Sequence, residues 1–551
     1  MQGRIDFPKW NSRVALNGLL AMLGRCAGLQ CIVLRKTKSA FDRRNASRIR
    51  RIASSFLEQI LSQEFRMADA QNGGSSQATA LATRPRTRPR VVILGGGFAG
   101  ISAAKELAGH DVDVTLIDRR NHHVFQPLLY QVALAVLSPA DIAQPIRGIL
   151  SAQRNVEVLM DEAVGFDLEK RIVKLQTASD IEYDYLIVAT GATHSYFGHD
   201  DWAHSAPGLK TLEDATEIRR RILLAFELAE RETLETGTHP ELNFVVIGGG
   251  PTGVELAGAL RDISHLYLRR NFRHIDPSKS RILLVEGGPN ILPSYPPDLR
   301  QKAVKQLKDL GVEVWTGKQV TDIKPGYVVI GDERVDAVVT LWGAGVAPSP
   351  LGKILGVPTD KKGSVFVDDY LNPQGYRNVF VCGDLSYFEQ DGKRVPGVAQ
   401  PAMQMGRHAA RMVLQDLQGR PRTAFRYFDK GDMATIGRFA AVADVKWPFK
   451  AHWGGFPAWA TWLVVHLWFL VSFRNRLGVM ATWAWTYFFF RSGARLITGN
   501  QNLPGWGLHA GARPQRPTPL LDYTSPVVGE TNSPDEAMNR GAGPDNAEQP
   551  A

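Results

Sequence analysis

Apolar positions along this chain follow two periods. Short β-branched runs, Val91 to Leu94 and Phe244 to Ile247, read as fully buried strands. Each is followed by a glycine-rich turn and then by apolar residues at helical spacing, Ile101 to Leu107 and Val254 to Leu260. A polar, hairpin-like stretch comes next in both halves, Val164 to Ile181 and Val320 to Arg334. A further apolar strand ends each half, Asp184 to Gly191 and Asp336 to Gly345. The first glycine of the turn and the closing glycine are 96 residues apart in one half and 97 in the other. A last strand, Asn378 to Asp384, has no counterpart in the second half. Strands alternating with helices predict an α/β chain with parallel sheets, written twice. The pattern changes at Phe456 to Phe490, which is almost continuously apolar, with Arg474 and Arg476 as its only fixed charges.

The two turns are G-x-G-x-x-G loops, Gly95/Gly97/Gly100 and Gly248/Gly250/Gly253, beginning 153 positions apart. Such glycines permit a tight turn and close approach of backbone N–H groups to a pyrophosphate at a helix N-terminus. An acid ending the next strand then reads a ribose. Asp118 closes VDVTLID and Glu286 closes RILLVE. Two such loops imply two dinucleotides on one protein. The arrangement resembles the two-dinucleotide-binding-domain flavoproteins (the FAD/NAD(P)-linked reductase fold). There the first loop holds FAD and an inserted second Rossmann domain holds the nicotinamide. The resemblance implies FAD at Gly95, Gly97, Phe98, Ala99, Gly100 and Asp118, with Asp384 on the ribityl chain. It puts NADH at Gly248, Gly250, Pro251, Thr252, Gly253 and Glu286, with Gly343 and Ala344 beside it. A carboxylate at Glu286 accepts from a 2′-hydroxyl and repels a 2′-phosphate, and no Lys or Arg lies within Gly287 to Asn290. NADH is therefore expected over NADPH.

Cysteine narrows the electron acceptor. The chain has Cys26, Cys31 and Cys382. None lies on the helix after the first glycine loop, where a disulfide reductase needs a redox pair. Cys382 reads as a small buried residue in an apolar strand. No Cys or His spacing suggests a metal, and His122 with His123 lack companions.

The C-terminal region supplies the other discriminator. Seven of the 12 tryptophans lie between Trp447 and Trp485. Tryptophan favours a membrane–water interface. The runs Ala458 to Phe473 and Leu477 to Phe490 are short of the roughly 20 residues a spanning helix needs. The Arg474–Asn475–Arg476 break is costly in mid-bilayer. The expectation is two helices lying in one leaflet, with Arg474, Arg476, Arg491 and Arg495 at headgroup level. A buried dimer interface or a short spanning hairpin are the alternatives.

With this anchor the sequence closely resembles one family, the type II, non-proton-pumping NADH:quinone oxidoreductases. The stretches that carry the resemblance are HHVFQPLLYQVA (His122 to Ala133), VIGGGPTGVELAGAL (Val246 to Leu260), VPGVAQPAMQMG (Val395 to Gly406) and FRNRLGVMATWAWTYFFFRSGARLI (Phe473 to Ile497). The resemblance implies that Gln400 and Gln404 line a quinone pocket, with Ala399 backing the flavin ring. It places Gln126, Pro127, Thr190 and Gly191 against FAD, and Val164 at the adenine. Glu255 would stand near the nicotinamide and help relay protons to quinone. As residues alone, Gln400 and Gln404 share a helical face or simply open a polar helix. Glu255 is equally an acid stabilised at a helix N-terminus.

The implied reaction passes hydride from NADH to FAD and two electrons onward to a membrane quinone, without pumping. The implied partners are NADH, quinone and a lipid surface, with a homodimer common in such families. The expected location is the cytoplasmic side of a bacterial inner membrane. The rival readings are a reductase for a ferredoxin-like protein and a non-enzymatic flavin-binding membrane sensor.

Charge locates the remaining segments. The net charge is +10, but residues 1–66 alone carry 13 Lys/Arg against 4 Asp/Glu. The basic character belongs to this extension, so nucleic acid is not an expected partner. The extension is expected to be disordered, or absent if translation begins at Met67; an organelle transit peptide is the alternative. The expected layout is an extension over 1–90, FAD-binding segments at 91–207 and 373–440, the NADH-binding domain at 208–372, the anchor at 441–500 and a disordered tail at 501–551.

Overall fold

A computed structural model describes residues 88–489 and 494–498. Met67, Cys26, Cys31, Arg491 and the 501–551 tail, on which expectations were placed, lie outside the described residues. Strand β1 (Arg90–Leu94) leads through the first glycine loop into helix α1 (Phe98–Glu106) and strand β2 (Asp113–Asp118). Strands β3 (Val156–Met160) and β4 (Tyr185–Val188) follow. The long helix α2 (Leu212–Thr236) then starts at a capping box, in which Thr211 and Asp214 satisfy each other's backbone N–H groups. The second half repeats the pattern with β5 (Asn243–Ile247), α3 (Pro251–Asp262), β6 (Arg281–Glu286), α4 (Pro297–Leu310), β7 (Val312–Thr316) and β8 (Val339–Trp342). The chain returns through β9 (Val379–Val381) and α5 (Ala399–Leu417). It ends in an antiparallel sheet, β10 (Gly431–Gly437), β11 (Ala440–Val445) and β12 (Ala451–Gly454), and two helices, α6 (Phe456–Phe469) and α7 (Phe473–Phe489).

The first sheet has the order β9-β4-β1-β2-β3 and the second β7-β6-β5-β8. The pairings within them are parallel. β1 and β5 sit centrally and carry fully buried Val, Ile and Leu, as their uninterrupted apolar runs require. The added strand β9 is the element the second half lacks. Both hairpin-like stretches form three-stranded antiparallel sheets.

Two boundaries differ from the sequence expectation. Leu355, Val357 and Val365 pack with Val92, Leu186 and Val379 of the first sheet, so the chain rejoins the first half well before the expected boundary at 372. The break between the C-terminal helices falls at Leu470 to Ser472, not at the Arg474–Asn475–Arg476 triplet, which lies in the first turn of α7. The reason is capping. Ser472 adopts a positive φ of 75°, and Arg476 Nε donates to the Leu470 carbonyl at 2.8 Å. Arg495 likewise donates to the Tyr267 carbonyl at 3.1 Å. These two arginines stitch the protein together instead of standing free at headgroup level.

The same helices join the main core. Trp462, Leu470, Val479 and Trp483 pack with Leu129, Val132, Ile222 and Phe226. Trp483 Nε1 donates to Gln131 Oε1 at 2.7 Å. Their outer faces expose Val464, Trp468, Leu477, Met480 and Trp485. Among the described residues no helix is long and apolar enough to cross a membrane. At 1.5 Å per residue, α6 spans only about 21 Å of the ~30 Å hydrocarbon core.

Candidate functional site

The two glycine loops have the same construction. Gly95 and Gly248 adopt φ of +101° and +106°. A Cβ on Gly95 would meet the Ala189 carbonyl at 2.4 Å, and one on Gly248 would meet Gly343 and Ala344 backbone within 2.6 Å. A Cβ on Gly100 or Gly253 would lie 1.8 Å from the carbonyl of Gly95 or Gly248. The middle glycines differ from these. Gly97 and Gly250 have nothing within 4 Å of a Cβ position, and each stands at the N-cap of a helix with no side-chain cap and no acid in its first turn. Unfilled space beside uncapped N–H groups suits a pyrophosphate. Asp118 and Glu286 also match. Their carboxylates accept from Gly96 N and Gly249 N, each at 2.6 Å. Each acid therefore holds its own loop in shape.

A cavity of about 1190 Å³ runs from the first loop to the C-terminal helices. It exceeds the ~300–1,000 Å³ usual for one small molecule, which leaves room for a dinucleotide and a second reactant. Of the expected FAD residues, Gly95, Gly97, Phe98, Ala99, Asp118 and Asp384 line it, as do Gln126, Pro127, Val164, Thr190, Gly191 and Ala399. Gly100 lies behind them and supports the turn. Four buried polar atoms on lining residues, His122 Nε2, His123 Nε2, Thr190 Oγ1 and Gln400 Oε1, have no protein partner. Orphaned polar atoms around such a space fit a polar occupant. FAD therefore fits the residues present. From the second loop only Pro251 and Thr252 reach the cavity, with Glu255 one turn further on. Gly248, Gly250, Gly253, Glu286, Gly343 and Ala344 lie outside its lining. α3 thus points its first turn at the cavity, while the glycines of its loop lie outside it.

The paired glutamines separate. Gln400 lines the cavity, and its Nε2 donates to the Gly431 carbonyl at 2.9 Å. Its Oε1 stays buried as an acceptor for a ligand N–H or O–H. Gln404 does not line the cavity. Its amide clamps the Phe428 backbone, donating to the carbonyl at 3.0 Å and accepting from the N–H at 2.9 Å. A shared helical face was legible in the sequence, but the segment before β10, whose Phe428 backbone occupies the Gln404 amide, was not. Gly406 of the same motif serves packing: its Cβ would fall 2.1 Å from the Ala99 carbonyl, which fixes α5 against α1.

Glu255 is the most perturbed acid on the cavity wall. Burial pushes its carboxyl up to about 8, against a single backbone hydrogen bond from Thr435 that lowers it. The part of the residue left open faces the cavity, not bulk water. The folded protein thus keeps a proton that the unfolded chain releases near pH 4.5, and stability falls as pH rises from about 4.5 to 8. Glu255→Gln is expected to flatten that slope. Melting temperatures across this range would test it; parallel curves for parent and variant would refute the assignment.

Several lining residues carry no local sequence signal. Lys210 Nζ stands 3.8 Å from Asp384 Oδ2. His123, buried and held below its ordinary value by desolvation, donates Nδ1–H to the Gly96 carbonyl at 2.9 Å. Tyr295 arrives from one distant segment, and Lys430 with Asp432 from another. Cys382 is fully buried, and desolvation raises its thiol far above the ordinary range, so it is no nucleophile. Among the described residues no His, Cys, Asp and Glu gather as a metal site.

Comparison with known proteins agrees with this geometry. The pyridine nucleotide-disulphide oxidoreductase family model matches residues 89–406, and the NDH2 C-terminal domain model matches 430–492. The chain is 42% identical over 433 residues to the type II NADH:quinone oxidoreductase Ndh of Mycobacterium tuberculosis, covering 76% of this chain and 92% of that protein. It is 32% identical over 446 residues to an internal alternative NAD(P)H-ubiquinone oxidoreductase A1 of Arabidopsis thaliana, covering 75% and 87%. Among solved structures, NDH2 from Plasmodium falciparum in complex with NADH superposes with a TM-score of 0.67 at 21% identity, covering 75% of this chain and all of that one. The sulfide:quinone oxidoreductase of Aquifex aeolicus gives 0.58 at 20%, covering 73% and 95%. At such identities the two structures speak to the fold alone.

Proposed function

The chain belongs to the type II NADH:quinone oxidoreductases, and from that premise we propose how its residues divide the work of passing electrons from NADH through FAD to quinone. One observation carries the reading. A single cavity is bordered at once by the first glycine loop, by Pro251, Thr252 and Glu255 at the start of α3, and by Trp447, Trp453 and Phe469 of the C-terminal module. Bound FAD supplies the two-electron chemistry at this cavity.

The first loop, Asp118, Thr190, Gly191 and Asp384 hold and orient the flavin dinucleotide. The second loop and Glu286 hold NADH, and Glu286 sets the preference over NADPH. Gln400 fixes the acceptor, with Glu255 as a nearby proton-holding group. The exposed apolar residues of α6 and α7 seat the protein on one leaflet, and the cavity's tryptophan-lined end admits quinone from the lipid. NADH is a cytosolic reductant, which supports attachment at the inner face of the plasma membrane.

Detergent-purified protein is expected to show an oxidised-flavin spectrum and to oxidise NADH faster when a short-chain quinone is added. A rate indifferent to quinone but raised by a ferredoxin-like protein would overturn the proposal.

A further inference from the structure

The reaction NADH + H⁺ + quinone → NAD⁺ + quinol takes one proton from water for each turnover. The cavity's C-terminal end is built from Trp447, Phe449, Trp453, Trp468 and Phe469. Those aromatic side chains suit an apolar quinone and relay no proton; Thr461 and His466 of α6 also line the cavity. A polar row enters the cavity through the C-terminal sheet instead.

Asp432 on β10 lies directly opposite Asp444 on β11, and Asp444 directly opposite His452 on β12. Asp432 lines the cavity. Asp444 is nearly buried, with its Oδ1 3.5 Å from His452 Nε2. His452 is 43% exposed, and its Nδ1 lies 3.1 Å from Asp298 Oδ1 on α4. The row thus runs from cavity to surface in three residues, each one strand from the next.

We infer that Asp432, Asp444 and His452 form the proton inlet for quinone reduction, an inference that rests on the NADH:quinone reading above. Facing carboxylates on neighbouring strands repel unless one of them holds a proton. The surroundings favour that state at Asp432. Burial raises its carboxyl, Asp429 and Asp444 raise it further, and Lys446 opposes them. The other groups that act on the row are Tyr427 beside Asp429, Tyr295, which feels Asp432, Asp444 and Glu255, and Lys302 beyond Asp298. Lys446 bridges Asp429 at 2.7 Å and Asp444 at 3.6 Å, which balances the row's charge without closing its path. Tyr295 is itself buried, and burial first, then the charges of Asp432, Glu255 and Asp444, hold its hydroxyl well above its ordinary value, so it stays neutral.

Ferricyanide provides the contrast, because it takes electrons from NADH with release of a proton and needs none supplied. The ratio of quinone-linked to ferricyanide-linked NADH oxidation is expected to fall about 10-fold at alkaline pH in Asp432→Asn and Asp444→Asn, and to recover toward the parent in acid, where water supplies protons freely. Asp432→Glu should restore most of the ratio. If Asp444→Asn fails to fold, His452→Gln at the sheet edge should still lower the ratio at alkaline pH. Ratios equal to the parent's at every pH in folded variants would overturn the inlet. A parent protein indifferent to quinone would instead overturn the functional reading itself.

Discussion

Gly258→Ala is expected to destabilise the protein by about 3 kcal/mol or more, enough to unfold a marginally stable domain. Gly258 lies in the middle of α3. A Cβ there would sit 1.5 Å from the Ile436 carbonyl oxygen and 2.6 Å from its carbon. The helix therefore meets β10 backbone to backbone. Neither partner is free to retreat. The start of α3 is fixed by the second glycine loop, and its apolar face is buried with β5 and β6. β10 is held by its pairing with β11, and Ala434 and Ile436 share the core that contains Leu256 and Ala257. Moving either element would displace Glu255 and Asp432, so flavin retention should fall together with stability. Gly250→Ala is the control for stability without nucleotide, since nothing lies within 4 Å of its Cβ position. Denaturant midpoints and flavin release read the result. A Gly258→Ala midpoint equal to that of the parent would show that this contact is not tight.

The second large effect is on membrane attachment. Val464, Met480 and Trp485 are among the exposed apolar residues of α6 and α7, and none of them lines the cavity. Replacing all three by Ser removes roughly 1 kcal/mol of interfacial burial each, or about 3 kcal/mol in total. That corresponds to about a 100-fold weaker partition onto lipid vesicles. Sedimentation with vesicles measures it, and an unchanged melting temperature would confirm that the core is intact. A triple variant that still sediments fully would sink the proposed contact surface. Removing the two helices outright would not be an equivalent test. Trp462 is 1% exposed and Trp483 2% exposed within the main core. Truncation would open that core instead of only detaching the protein from lipid.

The sequence alone determined the doubled nucleotide-binding plan. Gly95 and Gly248 are required by a positive φ, and Gly100 and Gly253 by a backbone contact within the same loop. Asp118 and Glu286 follow at the end of the next parallel strand. These constraints are local, so they leave a fixed spacing that can be read directly. The added strand β9 and the acid after it were legible for the same reason. Tryptophan enrichment marked the C-terminal module because composition is a property of a continuous segment. Other features depended on which distant segments pack together. Gln404 looked equivalent to Gln400 until Phe428 took its amide. Arg476 and Arg495 looked like lipid-facing charges until Leu470 and Tyr267 offered them carbonyls. The helix break was set by the cap at Ser472, not by the charged triplet. Gly258 became critical only because β10 crosses it, and Asp432, Asp444 and His452 form a row only through cross-strand register. The sequence wrote the loops because their chemistry closes within a few residues. Only the tertiary structure decided what meets them, because those contacts join segments whose spacing along the chain carries no signal.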